Sequence, residues 1–381
     1  SSLYGSSAAT GVINIITKKA GDSIRLIAKK TWSTEQTVNQ PLDRFNAGNH
    51  MIHLSGTLTG IGINLAYSER YSDEMTAVVG DQPDPFNKVN FNVGLSGTIT
   101  PQLKWRMGWN SDAIEADYDN SFPIGQASFT YTTQLDRFSL NTQYDYSGGS
   151  LNLNAGFQQN KREFKNAYPL VYESENLNID LFNKYIFNNH FYTIVGFQYQ
   201  KATMKADYNP EITQSDFYIN SVYLDPSGLN LNAGMRYNHH NAYKGQWIYT
   251  LNPSYSFDFI TNYQMKILTS YSKAFIAPGL YQLYDPSYGN EALKPEYNTS
   301  FELGSEIRSN QTTLSAVYFN RIEDPTLIFG PPDDGYQYGR YANSDKEISY
   351  RGVELAYNFK LFDSAKTRLN YIFTETTDGD L

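Results

Sequence analysis

The chain has no cysteine and no long apolar run. Without cysteine it can form no disulfide framework, no thiolate zinc site and no cysteine nucleophile. No apolar run approaches ~18 residues, the length of a transmembrane helix, and this excludes helical membrane proteins. Lys and Arg number 30 against 39 Asp and Glu, with no basic tract. Nucleic acid is therefore excluded as a partner, because neutralising its phosphates takes clustered cations.

Signatures of catalysis are also missing. The sequence contains no GxSxG elbow, no Walker loop and no HExxH pair. We therefore expect no enzymatic activity and no cofactor.

The residues that are abundant favour strands. The 381 residues include 32 Tyr, 22 Phe and 27 Gly, while charged residues make up only 18%. Aromatic residues favour strands and membrane interfaces, and glycine punctuates turns. The composition predicts one large all-β architecture.

Apolar and polar residues alternate strictly in many segments. Between Leu229 and Tyr237, for example, every second residue is apolar, and Asn, Gly or Arg stands between. A period of two places each set on one face of a sheet. The same pattern occurs at 61–67, 89–95, 151–157, 301–307 and 353–359.

The connections between these segments alternate between short and long. Short turns are predicted at 59–62, 98–102, 147–150, 188–190, 225–228, 258–262, 308–311 and 360–364. Longer links are predicted at 33–49, 72–87, 113–126, 161–174, 202–215, 238–246, 275–295 and 329–337. This is typical of an antiparallel up-and-down transmembrane β-barrel with tight periplasmic turns and long extracellular loops. The connections predict seventeen strands.

Three segments carry motifs of one known family. The first, LYGSSAATGVINIITKK, runs from Leu3 to Lys19. The second joins SKAFIAPGL at 272–280 to LKPE at 293–296, and the third is YRGVEL at 350–355. In this order and spacing they resemble TonB-dependent outer-membrane receptors, the first being similar to the end of the plug domain. The motif positions that we expect to be structural are Tyr4, Gly5, Gly11, Asn14, Pro278, Pro295, Glu296, Gly352 and Glu354.

The resemblance implies a 22-stranded barrel that encloses an N-terminal plug. We expect residues 1–19 to be the C-terminal end of the plug and residues 20–381 to be the barrel. Seventeen strands are fewer than the family has, and the chain has no initiator Met. We therefore expect an internal piece of a larger protein that lacks the last barrel strands.

The resemblance also implies a function and partners. Members of the family transport scarce nutrients across the bacterial outer membrane with force from the TonB–ExbB–ExbD complex. The compact loops favour a metal chelate, a ferric siderophore or cobalamin, as the ligand. An importer of oligosaccharide or peptide with a surface lipoprotein partner is the alternative. A passive porin or a glycan-binding β protein is the competing class. Membrane lipid and lipopolysaccharide are further expected partners.

Aromatic loops are the predicted ligand contacts. Tyr281, Tyr284, Tyr288 and Asn290 lie in the link at 275–295, and they do not share one face. Exposed aromatic residues at a barrel mouth hold large ligands by stacking and by hydroxyl hydrogen bonds. An aromatic girdle at the lipid boundary is the other interpretation. A second group, Tyr336, Tyr338 and Tyr341, lies in a later link.

Metal-binding patterns are weak. His239 and His240 begin a predicted loop, where solvent exposure is favoured over a haem or metal contact. Acidic residues at 73–84 and 112–119 match no defined calcium motif. We expect them to be solvated in loops or bridged to lipopolysaccharide by divalent ions, and no metal site is predicted.

Overall fold

Long antiparallel strands hold most of the residues that the computed structural model describes, which are 5, 21–35, 45–73, 76, 78, 82–121, 123–205, 209–331, 338–362 and 365–378. The strands are β1 (Arg25–Ser33), β2 (Ala47–Leu58), β3 (Ile61–Ser72), β4 (Phe86–Thr100), β5 (Leu103–Ser121), β6 (Ile124–Tyr146), β7 (Gly149–Lys165), β8 (Leu170–Asn188), β9 (Phe191–Lys205), β10 (Glu211–Leu224), β11 (Leu229–His240), β12 (Lys244–Ile260), β13 (Tyr263–Ile276), β14 (Glu296–Arg308), β15 (Thr312–Glu323), β16 (Leu327–Phe329), β17 (Tyr341–Asn343), β18 (Ile348–Phe362) and β19 (Ala365–Asp378). One short helix, α1, spans Leu280–Tyr284. Within these ranges no helix has both the length and the apolar character needed to cross a membrane.

Seventeen of the strands form one sheet, which confirms the predicted all-β fold and strand count. Each strand from β1 to β14 pairs antiparallel with the strand that follows it along the chain. β15 then pairs with β18, and β18 pairs with β19. The remaining two strands, β16 and β17, form a separate hairpin that the sequence did not predict.

The alternation buries polar residues and exposes apolar ones. On β10 the buried side chains include Gln214, Asp216 and Asn220, whereas Phe217 between them is 64% exposed and Ile219 is 41% exposed. A soluble sandwich would bury the apolar set, so this polarity is that of a sheet whose outer face contacts lipid. We call the polar face inward and the apolar face outward. Because register partners on neighbouring strands point to the same face, the register extends this assignment of faces from one strand to the next.

Outward aromatic residues form two belts. Phe197, Phe217, Tyr237 and Trp247 are consecutive register partners on β9 to β12. The rings of Phe197 and Phe217 are 4.9 Å apart, as are those of Tyr237 and Trp247. A second belt lies beside the short turns and includes Tyr185, Tyr223, Tyr255 and Tyr263. On β10 the belts are six residues apart, about 20 Å of strand, which is close to the apolar band of an outer-membrane barrel.

Strand ends agree with the predicted short turns but correct several long links. The link predicted at 113–126 is wrong, because β5 continues to Ser121 and β6 begins at Ile124. Strands also extend into the links predicted at 161–174, 202–215 and 238–246. The physical reason is polar cross-strand pairing above the membrane, as where the Thr130 hydroxyl donates to Asp117 at 2.8 Å. All four acidic residues at 112–119 therefore lie on β5 rather than in a loop.

Gly352 of the third motif is buried on the inward face of β18. Its register partner on β15 is Phe319, and a Cβ at position 352 would lie 2.7 Å from the Phe319 ring and against the Phe373 carbonyl oxygen. The aromatic ring thus occupies the space that the missing side chain leaves. The motif glycine has a steric explanation.

We expect Gly352→Ala to lower the free energy of unfolding by about 1–3 kcal/mol, because the new methyl group overpacks the contact with Phe319. The measurement is guanidinium unfolding of the complete protein refolded in lipid vesicles. Gly156→Ala is the matched control, since a Cβ on this inward strand glycine meets nothing closer than 3.9 Å. Equal stability of the two variants would contradict this account of Gly352.

A second prediction tests the assignment of the faces. Leu153 lies on the outward face of β7, with Leu181 as its register partner. We expect Leu153→Lys to cost about 2–4 kcal/mol, because the lysine would sit in hydrocarbon. The neighbouring change Asn152→Lys points into an inward cavity of about 480 Å³ and should cost far less. The reverse order of the two unfolding free energies would contradict the assignment.

Candidate functional site

Two long links pack together at one end of the sheet. The first, 277–295, joins β13 to β14 and contains α1. The second, 324–347, joins β15 to β18 and contains the hairpin of β16 and β17. The Lys294 amide donates to Asn343 Oδ1 at 2.7 Å, and Asn343 Nδ2 donates back to the Lys294 carbonyl at 3.0 Å. The Tyr341 amide also donates to the Tyr288 carbonyl at 3.0 Å. We call these segments the joined links.

Buried motif residues anchor the joined links to the sheet. Pro278 is fully buried, and Glu296 is 8% exposed. Glu296 Oε2 accepts a hydrogen bond from the Leu327 amide at 3.2 Å, which attaches the start of β16 to β14. Pro295 is also buried, next to Glu296. These contacts hold the second motif against the sheet, and a structural role for its positions stays a prediction.

Aromatic rings continue the connection toward the opposite wall. Tyr281 of α1 lies edge-on to Tyr172 of β8, with ring centroids 5.7 Å apart, and to Tyr341 of β17 at 6.1 Å. Phe329 contacts Tyr341 at 5.3 Å and Tyr288 at 5.8 Å. Edge-to-face contacts at such distances are favourable. The structure thus brings Tyr281 and Tyr288 of the first predicted group together with Tyr341 of the second.

A cavity of about 640 Å³ lies between α1 and the inward face of β7 to β10. We call it the mouth cavity. Its apolar lining includes Phe164, Leu170, Tyr172, Met204, Ile212, Leu280 and Tyr281, and its polar lining includes Asn160, Arg162, Glu173 and Asn176. A volume of this size, mostly apolar with a few convergent polar groups, is typical of ligand sites.

Hydroxyl groups around α1 remain neutral donors. Burial raises the pKa of Tyr281, and the nearby Asp285 carboxylate raises it further. Burial, together with Tyr284, raises the pKa of Tyr243 to about 12, and its hydroxyl donates to the Leu293 carbonyl at 3.0 Å. The Tyr172 hydroxyl donates to Asp285 Oδ2 at 3.3 Å. The region offers hydroxyl donors over the physiological pH range.

The predicted ligand contacts separate into two groups. Tyr281 lines the mouth cavity, whereas Tyr284, Tyr288 and Asn290 are not among its lining residues in the described part of the chain. Asn290 has a local role, because its Nδ2 donates to the Tyr341 carbonyl at 2.9 Å and its Oδ1 accepts from the Ala292 amide at 3.0 Å. All four remain predictions as ligand contacts.

Sequence reasoning missed Arg162 and Tyr172, which line the cavity from the wall. Both were assigned to a loop at 161–174, and they lie on β7 and β8 instead. On β7 and β8 the inward residues are the even-numbered ones, and Arg162 and Tyr172 continue that alternation as direct register partners. Continuing the alternation past the predicted strand ends would have found them.

A buried polar cluster occupies the inward face of β9 to β11. Arg236 Nη1 donates to Asp216 Oδ2 at 2.5 Å and to Gln198 Oε1 at 2.8 Å, and Asn238 Nδ2 also donates to Asp216. Gly5 is buried against this cluster with a φ of 108°, and a Cβ there would lie 3.9 Å from Arg236 Nη1. This is the part of the first motif that the structure describes. Tyr4, Gly11 and Asn14 lie outside the described residues.

The interpretation of His240 as a solvated loop residue is wrong. Its side chain is 1% exposed and lies on the inward face at the C-terminal end of β11, with its ring 4.9 Å from that of Tyr243. The strand continues to this residue because it still has a register partner, Gln214, on β10. Within the described ranges, no three metal-binding side chains lie together as a metal site.

Glu354 of the third motif is exposed on β18.

Comparison with known proteins gives one family and several relatives. The family model "TonB dependent receptor-like, beta-barrel" matches residues 66–381. The vitamin B12 transporter BtuB of Vibrio cholerae serotype O1 is 28% identical over 316 residues, which cover 79% of this chain and 49% of that protein. The chain therefore spans about half the length of the curated relatives it matches.

Solved structures have the same fold. The siderophore receptor PirA from Pseudomonas aeruginosa matches with a TM-score of 0.80 at 18% identity, over 99% of this chain and 71% of PirA. The ferric enterobactin receptor PfeA from the same organism matches with a TM-score of 0.78 at 16% identity, over 98% of this chain and 65% of PfeA.

A third prediction follows from the joined links. Asn343→Ala removes both hydrogen bonds to Lys294, each worth about 0.5–1.5 kcal/mol. We expect faster hydrogen exchange at the Lys294 amide and in β16 and β17, with the sheet unchanged. Asn310→Ala, in the short turn between β14 and β15, is the control. Unchanged exchange in Asn343→Ala would mean that the links are held together elsewhere.

Proposed function

Because the chain belongs to the TonB-dependent receptor family, we propose that the complete protein binds a metal chelate at its extracellular mouth and carries it inward. The family resides in the bacterial outer membrane and serves nutrient uptake. The observation that carries the proposal is the mouth cavity, which the joined links close on one side and the barrel wall on the other.

The lining of the mouth cavity fits a chelate. A ferric siderophore or a corrinoid presents a broad organic surface with polar groups at its edge. Tyr172 and Tyr281 offer aromatic faces and hydroxyl donors for such a surface, and Arg162 offers a cation. Nothing in this arrangement requires a covalent step, so the proposed role is binding and transport without catalysis.

The relatives support the same ligand class. The V. cholerae relative is a vitamin B12 transporter, and the structural neighbours from P. aeruginosa are receptors for siderophores. Both kinds of ligand are metal chelates. A binding measurement distinguishes the two.

Energy for uptake would come from the inner membrane. The outer membrane holds no ATP, and we propose that TonB, ExbB and ExbD drive transport with the proton gradient, as they do in this family. We further propose that residues 1–19 end the plug domain and that residues 20–381 belong to the barrel. Gly5, seated in the lumen against Arg236, supports the plug assignment.

The test uses the complete gene product, purified in detergent, and follows quenching of its tryptophan fluorescence. Ligands are cyanocobalamin, several ferric siderophores, haem and oligosaccharides. We expect sub-micromolar affinity for one chelate, and uptake of that chelate by cells should stop when the proton gradient is collapsed. Affinity for an oligosaccharide alone would favour an importer with a lipoprotein partner. Conduction independent of the gradient would favour a porin.

A matched pair of variants tests the site. We expect Tyr281→Ala to raise the Kd for the chelate about tenfold, because it removes an aromatic face from the mouth cavity. Tyr168→Ala is the control, since Tyr168 is 84% exposed in the link between β7 and β8 and does not line the cavity. Equal Kd values for the two variants would place the ligand elsewhere.

A further inference from the structure

A row of inward side chains crosses six strands at the mouth. Register partners follow one another from Arg70 on β3 to Lys88 on β4, Ile114 on β5, Thr133 on β6, Arg162 on β7 and Tyr172 on β8. We call this the cationic row. We propose that it is an anion-binding subsite and that the transported ligand is therefore an anionic chelate rather than a neutral one. This inference rests on the proposed function.

Two members of the row are like charges placed opposite each other. Arg70 and Lys88 are direct register partners, an arrangement that is destabilising unless an anion lies between the two side chains. Within the described part of the chain neither forms an ion pair, and the same holds for Arg162. Elsewhere on the inward face, Arg137 is paired with Asp112 and Arg236 with Asp216. The row therefore offers positive charge that no described carboxylate neutralises.

The spacing of the row suits one ligand. Adjacent strands lie about 4.8 Å apart, so Arg162 is about 14 Å from Lys88 along the row. Flexible Lys and Arg side chains can converge on a chelate from both ends of that distance. At its far end the row reaches Tyr172, whose ring lies 5.7 Å from that of Tyr281. The cationic row thus leads directly into the mouth cavity.

The charge of the row is opposite to that of the whole chain. The chain carries a formal net charge of −9, so its general field repels anions. Cations concentrated on the inward face at the mouth reverse this field locally, and a concave, low-dielectric wall strengthens the effect. A neutral ligand would gain nothing from such an arrangement. The charge pattern therefore distinguishes between ligands of similar size.

The test compares two ferric probes of matched geometry on the complete gene product in detergent. Three catecholate groups, each doubly deprotonated, leave a ferric complex anionic, whereas three hydroxamate groups, each singly deprotonated, leave it neutral. We expect the tris-catecholate to bind and the tris-hydroxamate to bind at least tenfold more weakly. The affinity for the tris-catecholate should fall steeply with added salt, because exposed charge pairs are screened.

Variants assign the effect to the row. We expect the double variant Arg70→Gln/Lys88→Gln, and separately Arg162→Gln, to weaken tris-catecholate binding about 10-fold to 100-fold. Charge-conserving Arg70→Lys/Lys88→Arg should retain most of the affinity. Lys165→Gln is the matched control, because it removes the same charge from the outward face of β7. Circular dichroism and heat stability would establish that each variant is folded.

The outcomes separate the inference from the proposed function. Tight binding of the tris-hydroxamate or of cyanocobalamin, unaffected by the row variants, would overturn the anionic subsite and leave the transporter proposal standing. Tris-catecholate affinity that is unchanged in both the double variant and Arg162→Gln would also overturn it. Failure of every chelate to bind would contradict the proposed function together with the subsite.

Discussion

Hydrocarbon offers no hydrogen-bond partner to a peptide group, and the rest of this structure depends on that constraint. Every N–H and C=O that crosses the membrane has to be paired within the sheet. Antiparallel ladders do this for the strands that lie between β1 and β19, while in the described part of the chain β1 and β19 are each paired on one side, with β2 and with β18. The unavoidable consequence of these ladders is a side-chain period of two, so that every strand has one face toward lipid and one toward the lumen. Charged groups such as Arg236 and Asp216 are tolerated because they lie on the face toward the lumen and are paired with each other.

The polar and charged side chains therefore lie mainly on the inward face. The two walls that face each other across the mouth differ in what they contribute. The wall of β3 to β8 carries the cationic row, while the side of β13 to β18 contributes the joined links. Glu296 and Asn343 attach these links to the sheet and to each other through backbone groups. Such bonds fix the position of α1, and with it the position of Tyr281 opposite the wall.

Much of the fold could be predicted because its signals are local. The alternation at 229–237 and the turn at 225–228 are visible in a few neighbouring residues, and both agree with the structure. The errors arose where polar residues continue a strand beyond the membrane, as on β5, since acidic side chains look like loop residues at that point. His240 was misassigned for the same reason. Tyr281 was predicted from local composition, but its contact with Tyr172 depends on how a link folds across the lumen, which no local pattern encodes.

The cationic row depends on strand register, which no single segment of the sequence reveals. Arg70 and Arg162 are far apart in sequence, and each is an ordinary polar residue in an alternating strand. They become part of one surface only because every turn between them sets the pairing of the next strand, so that Lys88, Ile114 and Thr133 are successive register partners. A slip of one residue in any of these hairpins would move a cation to the outward face and so remove it from the row. The same constraint that pairs the backbone therefore also holds the charges in line. A ligand bound at the mouth would be recognised by geometry that the membrane itself enforces.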